Sequence, residues 1–120
     1  MSTLTLVLGT LVAIEFFYIF YLETIATASS STSRVFRMSK DELTRDSVSV
    51  LFKNQGVYNG LIGVGLLYGL YVSPNSVEIV TMILTYIILV ALYGSITSDK
   101  KIILTQGGLA ILTLISMVMS

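Results

Sequence analysis

The chain has 120 residues, 54% hydrophobic and 12% charged, with no net charge and a mean hydropathy of +0.87. Soluble domains carry about 25% charged residues, and a soluble chain this short exposes too much surface to hide so much apolar material. The composition points away from a soluble domain and towards an integral membrane protein.

The first apolar segment is Leu4 to Leu22, interrupted by Glu15. It is long enough to span, since about 20 helical residues cross a hydrocarbon core of about 30 Å. No basic residue precedes it and no small-residue cleavage site follows it, so a secretory signal peptide is not expected. Loop 23–51 comes next and holds Arg34, Arg37, Lys40 and Arg45. Its "ATASSSTS" is small, polar and expected to be flexible. "SKDEL" fits a capping box, with Ser39 as N-cap and Glu42 three residues on. From Ser39 there is no proline, and no glycine before Gly56, so one helix is predicted from Lys40 to Tyr71. At 1.5 Å per residue it is about 48 Å long, and its first turns protrude into the cytoplasm or lie on the headgroups.

The second span is 52–72. The "VSPNS" turn leads to a third span, 77–96. Loop 97–101 holds Lys100 and Lys101, and the fourth span is 102–119. The predicted fold is all-α: a single-domain bundle of four transmembrane helices. Barrel strands would alternate in polarity, and these segments do not. Lys and Arg gather in loops one and three, and cytoplasmic loops attract the positive excess. Both termini are therefore expected outside, in a multi-pass protein of the bacterial inner membrane. The bases are interleaved with Asp41, Glu42 and Asp46 and form no stripe for nucleic acid. Cysteine and histidine are absent, so disulfides and transition-metal sites are not expected, and no cofactor motif is present.

Polar residues mark a candidate site. Glu15 falls near mid-membrane and Glu23 at the inner edge. Asn54 and Gln55 enter there too, and Asn59 lies about 7.5 Å deeper. Tyr93 and Gln106 are placed in the inner half of spans three and four. Asn54, Gln55, Tyr58 and Asn59 fall within an arc of roughly 140°, read as facing the bundle interior. The amides either tie helices together or line a pocket for a small or lipid-like molecule. Glu15, ionisable and intramembrane, favours a functional site. Gly56 and Gly60, and Gly65 and Gly69, are spaced for close helix approach, within the protomer or in a homo-oligomer, either dimer or trimer.

The residues "IEFFYIFYLE", "RVFRMS", "NQGVYNGLIGVGLLYGL", "ALYG" and "LTQGGLAIL" resemble the small bacterial four-helix membrane proteins of domain-of-unknown-function family thirteen-zero-four. The resemblance implies that Glu15, Glu23, Phe36, Asn54, Gln55, Tyr58, Asn59, Tyr93 and Gln106 matter. The chain departs from the pattern at Phe16, where a histidine is usual, at Thr27, where an aromatic is usual, and in lacking a loop proline. Two looser likenesses concern the fold. The small multidrug resistance transporters are similar in length and carry a glutamate in helix one, which suggests a proton-coupled exporter using Glu15. The membrane-associated eicosanoid and glutathione enzymes also have four helices, which suggests a conjugating enzyme with Arg45 and Lys53 at the cytoplasmic mouth. A purely structural partner protein is the remaining alternative.

Overall fold

A computed structural model describes residues 1–120. It is all-α and contains no strand. The helices are α1 (Thr3–Phe20), α2 (Ser30–Phe36), α3 (Lys40–Thr44), α4 (Asp46–Tyr71), α5 (Ser76–Thr97), α6 (Ile102–Thr105) and α7 (Gly108–Met119). A π-turn, Tyr21–Ile25, extends α1. Two helical runs are long and apolar enough to cross a membrane, Thr3–Ile25 and Ser76–Thr97. In α4 the amides Asn54, Gln55 and Asn59 confine the apolar run to residues 60–71.

Three local expectations are corrected. The helix expected from Lys40 to Tyr71 is broken at Arg45, which is extended at φ −65°, ψ 135°. The Thr44 hydroxyl bonds back to the Asp41 carbonyl at 2.9 Å. Thr44, Asp46 and Ser47 are residue types whose side chains compete with the helical ladder. Residues 102–119 form two helices with a turn at Gln106 and Gly107, not one continuous span. A Cβ at Gly107 would sit 2.6 Å from the Ile103 carbonyl oxygen and 3.3 Å from Ala91 Cβ. The backbone approach therefore requires glycine, and two glycines in succession weaken a helix. Finally, "ATASSSTS" is folded. Ser29 caps α2 through the Thr32 N–H, and Thr32 is fully buried. The Ser39 cap is present, with its hydroxyl accepting from the Glu42 N–H at 3.1 Å. The Glu42 carboxylate, the other half of a capping box, faces Arg45 instead at 3.3 Å.

The chain forms two compact units, each described separately. One comprises Met1–Ala13 with Val64–Ser120. Its core uses one face of α5, namely Val80, Leu84, Ile87 and Ala91. Against it α7 buries the small residues Ala110, Thr113 and Ser116, three apart. Small residues at that spacing let the two helix backbones approach closely. The close approaches continue along α4, where a Cβ at Gly69 would lie 2.9 Å from Ile79 Cγ2. Hydroxyls join the ends of the chain: Ser2 donates to Thr5 at 2.9 Å, Thr5 meets Ser116 at 2.8 Å, and Ser120 donates to the Ser116 carbonyl at 2.6 Å. The outer faces are apolar, with Met82, Leu89, Ile96 and Val118 all more than half exposed.

The other unit is Ile14–Gly63. It holds the end of α1, the π-turn, α2, α3 and the first part of α4. Leu22 and Leu43 are its fully buried apolar side chains, and Phe36 meets Phe52 edge to face at 5.1 Å.

Candidate functional site

The candidate site is built around the π-turn. There the Ala26 N–H bonds to the Tyr21 carbonyl at 2.8 Å, one residue further back than in an α-helix. Such a turn leaves neighbouring carbonyls without their ladder donors, and π-turns recur at functional sites. Two threonines serve those carbonyls. Thr27 Oγ1 donates to the Glu23 carbonyl at 2.7 Å. Thr32 Oγ1 lies 2.9 Å from the Leu22 carbonyl and 2.7 Å from that of Ala26. Both threonines are buried, as an arrangement replacing backbone donors requires.

In the middle of this turn sits Glu23, with no exposed surface. Asn59 Nδ2 donates to its Oε1 at 2.6 Å. Its Oε2 is buried and has no hydrogen-bond partner. Gln55, one turn before Asn59 on α4, is the next amide towards this carboxyl group, but it does not complete an ordinary bond to Oε2. An unserved buried acceptor costs about 1–3 kcal/mol, more when charged.

Close packing holds α4 against the turn. The Thr24 hydroxyl donates to the Lys53 carbonyl at 2.9 Å. A Cβ at Gly56 would come within 2.0 Å of Thr24 Oγ1 and 3.0 Å of Glu23 Cβ, and one at Gly60 within 3.1 Å of the Phe20 ring. The Gly56 and Gly60 pair is therefore used inside the protomer. It fixes the spacing at which Asn59 reaches Glu23.

The four amide and tyrosine positions of α4 divide. Gln55 and Asn59 lie on the Glu23 side, and Asn59 is half-buried. Asn54 and Tyr58 face outwards, with Tyr58 71% exposed, so the arc read as interior is only half so. Glu15, half-buried on α1 two turns before Glu23, also has a buried oxygen, Oε1, without a partner. Arg45 is exposed and paired with Glu42, and the Lys53 side chain is exposed. Tyr93, 69% exposed, and Gln106, half-buried at the end of α6, belong to the other unit. Reading the sequence missed Thr24, Thr27, Thr32 and the π-turn. Thr27 was noticed only as a departure from an aromatic. Its hydroxyl is what an aromatic would not supply.

The other unit carries an apolar groove of about 250 Å³, lined by Ile88, Ile111, Leu114, Ile115, Val118 and Met119. It offers no polar group to orient a ligand.

No solved structure matches the chain. It is 68% identical over 116 residues to the uncharacterized protein YpaA of Lactococcus lactis subsp. lactis (strain IL1403), covering 97% of this chain and 98% of that one. A family model described as "Protein of unknown function (DUF1304)" matches residues 10–118, which include the π-turn, both glutamates and every amide of the candidate site. At that coverage the match assigns membership: the chain belongs to the DUF1304 family.

Proposed function

We propose that the protein is a four-span protein of the bacterial inner membrane that binds a small or lipid-like molecule through Glu23 and Asn59. The membrane reading is supported by the two apolar runs and by the exposed apolar faces of α5 and α7. In water such surface would be unfavourable; in lipid it is the ordinary exterior. Outward termini and an even number of spans are supported by the bases confined to residues 34–53 and 100–101, as cytoplasmic loops attract the positive excess.

The observation that carries the binding function is the half-served carboxyl group. Glu23 is fully buried in a π-turn, with Asn59 on one oxygen and nothing on the other. When charged, the free oxygen accepts; when neutral, with Oε1 accepting from Asn59, it carries the proton and donates. A ligand hydroxyl or amide, which can do either, is complementary to both forms, and an ammonium to the charged one. The chain supplies no basic side chain to that oxygen.

The test is native mass spectrometry of gently extracted protein, compared with Glu23→Leu/Asn59→Leu. Removing both partners together leaves no unpaired group, so folding is retained. The expected result is a small molecule retained by the wild type and lost from the double variant. Retention by the double variant would place binding elsewhere. Full cellular activity of the double variant would reduce the pair to helix glue.

Glu15 favours a second reading, a proton-coupled exporter. Its unserved Oε1 and the unserved Oε2 of Glu23 belong to one helical run, on residues eight apart, or about 12 Å along the axis. Glu15→Gln keeps the shape and removes titration. In this reading it abolishes proton-driven transport in vesicles.

A further inference from the structure

We infer that the ligand of Glu23 is a single-chain glycerol phosphate lipid, with its free hydroxyl at Glu23 and its phosphate at Lys53. The inference rests on the reading of Glu23 as a binding group and adds a second contact of opposite charge. Both residues belong to the unit Ile14–Gly63. The Thr24 hydroxyl holds the Lys53 carbonyl at 2.9 Å, which fixes this stretch of α4 beside the π-turn. The Lys53 side chain is exposed and has no ion pair. No acid stands three or four residues from it on α4, where Ser49, Val50, Gly56 and Val57 lie. A lysine at a membrane edge faces headgroups in general. This one is held within one helical turn of Gly56, which packs against a fully buried carboxyl group with an unserved oxygen.

The order of groups along α4 selects the ligand. Because Gly56 packs against Glu23, the carboxyl group lies about 4.5 Å deeper than Lys53 along the helix, and Asn59 about 9 Å deeper. From the membrane edge inwards the protein offers a cation, then a carboxyl group, then apolar surface at Ile62 on α4 and Ile19 on α1, both half-buried. A glycerol phosphate lipid carries its groups in the same order: phosphate outermost, then the glycerol hydroxyl, then the chain. The hydroxyl suits Glu23 charged or neutral, since it both donates and accepts. A second acyl chain would esterify that hydroxyl and remove its proton. Glu23 Oε2 is closed off, so the hydroxyl must take the place of a side chain. Gln55 is that side chain. Its amide faces the carboxyl group without completing a bond to Oε2, and the residue is exposed and free to swing out.

The test uses the full chain in phosphatidylcholine nanodiscs, with bound probe read by native mass spectrometry across a concentration series. The probes are a 1-acyl glycerol 3-phosphate, the matching monoacylglycerol, a diacyl glycerol phosphate, and glycerol 3-phosphate without a chain. The single-chain phosphate is expected to bind tightest. The monoacylglycerol, lacking phosphate, should bind about threefold to tenfold more weakly. The diacyl lipid, lacking the hydroxyl, should bind at least about fivefold more weakly, and the chainless phosphate should not bind. Lys53→Gln should bring the single-chain phosphate down to the level of the monoacylglycerol and leave the monoacylglycerol unchanged, while Lys53→Arg keeps the difference. Equal binding of the single-chain phosphate and the monoacylglycerol would overturn the inference. So would no response to Lys53→Gln, or a diacyl lipid or chainless phosphate that binds as tightly as the single-chain phosphate. In each case, monoacylglycerol binding that still requires Glu23 and Asn59 leaves the binding function standing. If Glu23→Leu/Asn59→Leu binds every probe as the wild type does, the binding function fails and this inference with it.

Discussion

Two polar clusters lie in this apolar chain, and they are built on opposite rules. In the unit holding both chain ends, Ser2, Thr5, Ser116 and Ser120 are linked hydroxyl to hydroxyl or hydroxyl to carbonyl. Buried Thr5 and Ser116 both find partners. In the unit holding the π-turn, Glu23 and Glu15 each keep a buried oxygen that nothing serves. The first cluster is what interhelical glue looks like: neutral, short and closed. The second is open, and it sits where the backbone itself departs from the α-helical register. A closed buried network gains little and an open one persists only at a cost, which is why the open one is assigned a function in the proposal above.

The comparison breaks most severely at Gly56. Gly56→Ala places a Cβ against Thr24 Oγ1 and Glu23 Cβ. We expect a loss of about 3 kcal/mol, at the upper end of overpacking costs, read as a fall in thermal stability by size-exclusion fluorescence. Adding Thr24→Ala removes the nearest atom and should restore part of it. Next comes Asn59→Leu alone, which leaves both Glu23 oxygens unserved. It should destabilise by about 1–3 kcal/mol, while Glu23→Leu/Asn59→Leu recovers the loss. A single variant as stable as wild type would mean that the Glu23–Asn59 bond holds nothing.

Thr32→Val tests the π-turn. It removes the hydroxyl shared by the Leu22 and Ala26 carbonyls, the second of which keeps the Ser29 N–H, and should lower stability by about 1–2 kcal/mol, whereas an unchanged melting temperature would show that the turn needs no hydroxyl. In the closed cluster, Thr5→Val with Ser116→Ala should shift stability by only about 0.6 kcal/mol per bond. It should leave ligand retention intact, and loss of the ligand would erase the distinction between the clusters. The smallest net effect is a cancellation. Arg37 ends α2 at φ 55°, the sole residue of positive φ in the chain. Arg37→Gly relieves that backbone strain but also removes a side chain that has an interaction of its own, so the net change in stability should stay within about 1 kcal/mol. A loss well beyond that would show that the side chain outweighs its backbone.

The contrast also separates what could be read early from what could not. Residue types settled the helical class, because runs such as 77–96 are too long and apolar for other uses. They settled the Ser39 cap and the 73–75 turn as well, since both depend on neighbours within three residues. They placed Glu23, Gln55 and Asn59 among the residues of interest. The π-turn had no such signature. It is one extra residue between a donor and an acceptor, and "YLETI" reads equally well as α-helix. Thr27 and Thr32 acquire meaning only once that turn exists. The break at Gln106 and Gly107 was equally hidden, because the glycine is required by how near Ile103 and Ala91 come. Angular position on α4 could be computed from residue number, but which side of the helix met protein could not. That was decided by Gly56 and Gly60 lying close against Thr24 and Phe20, a contact between residues more than thirty apart in the chain.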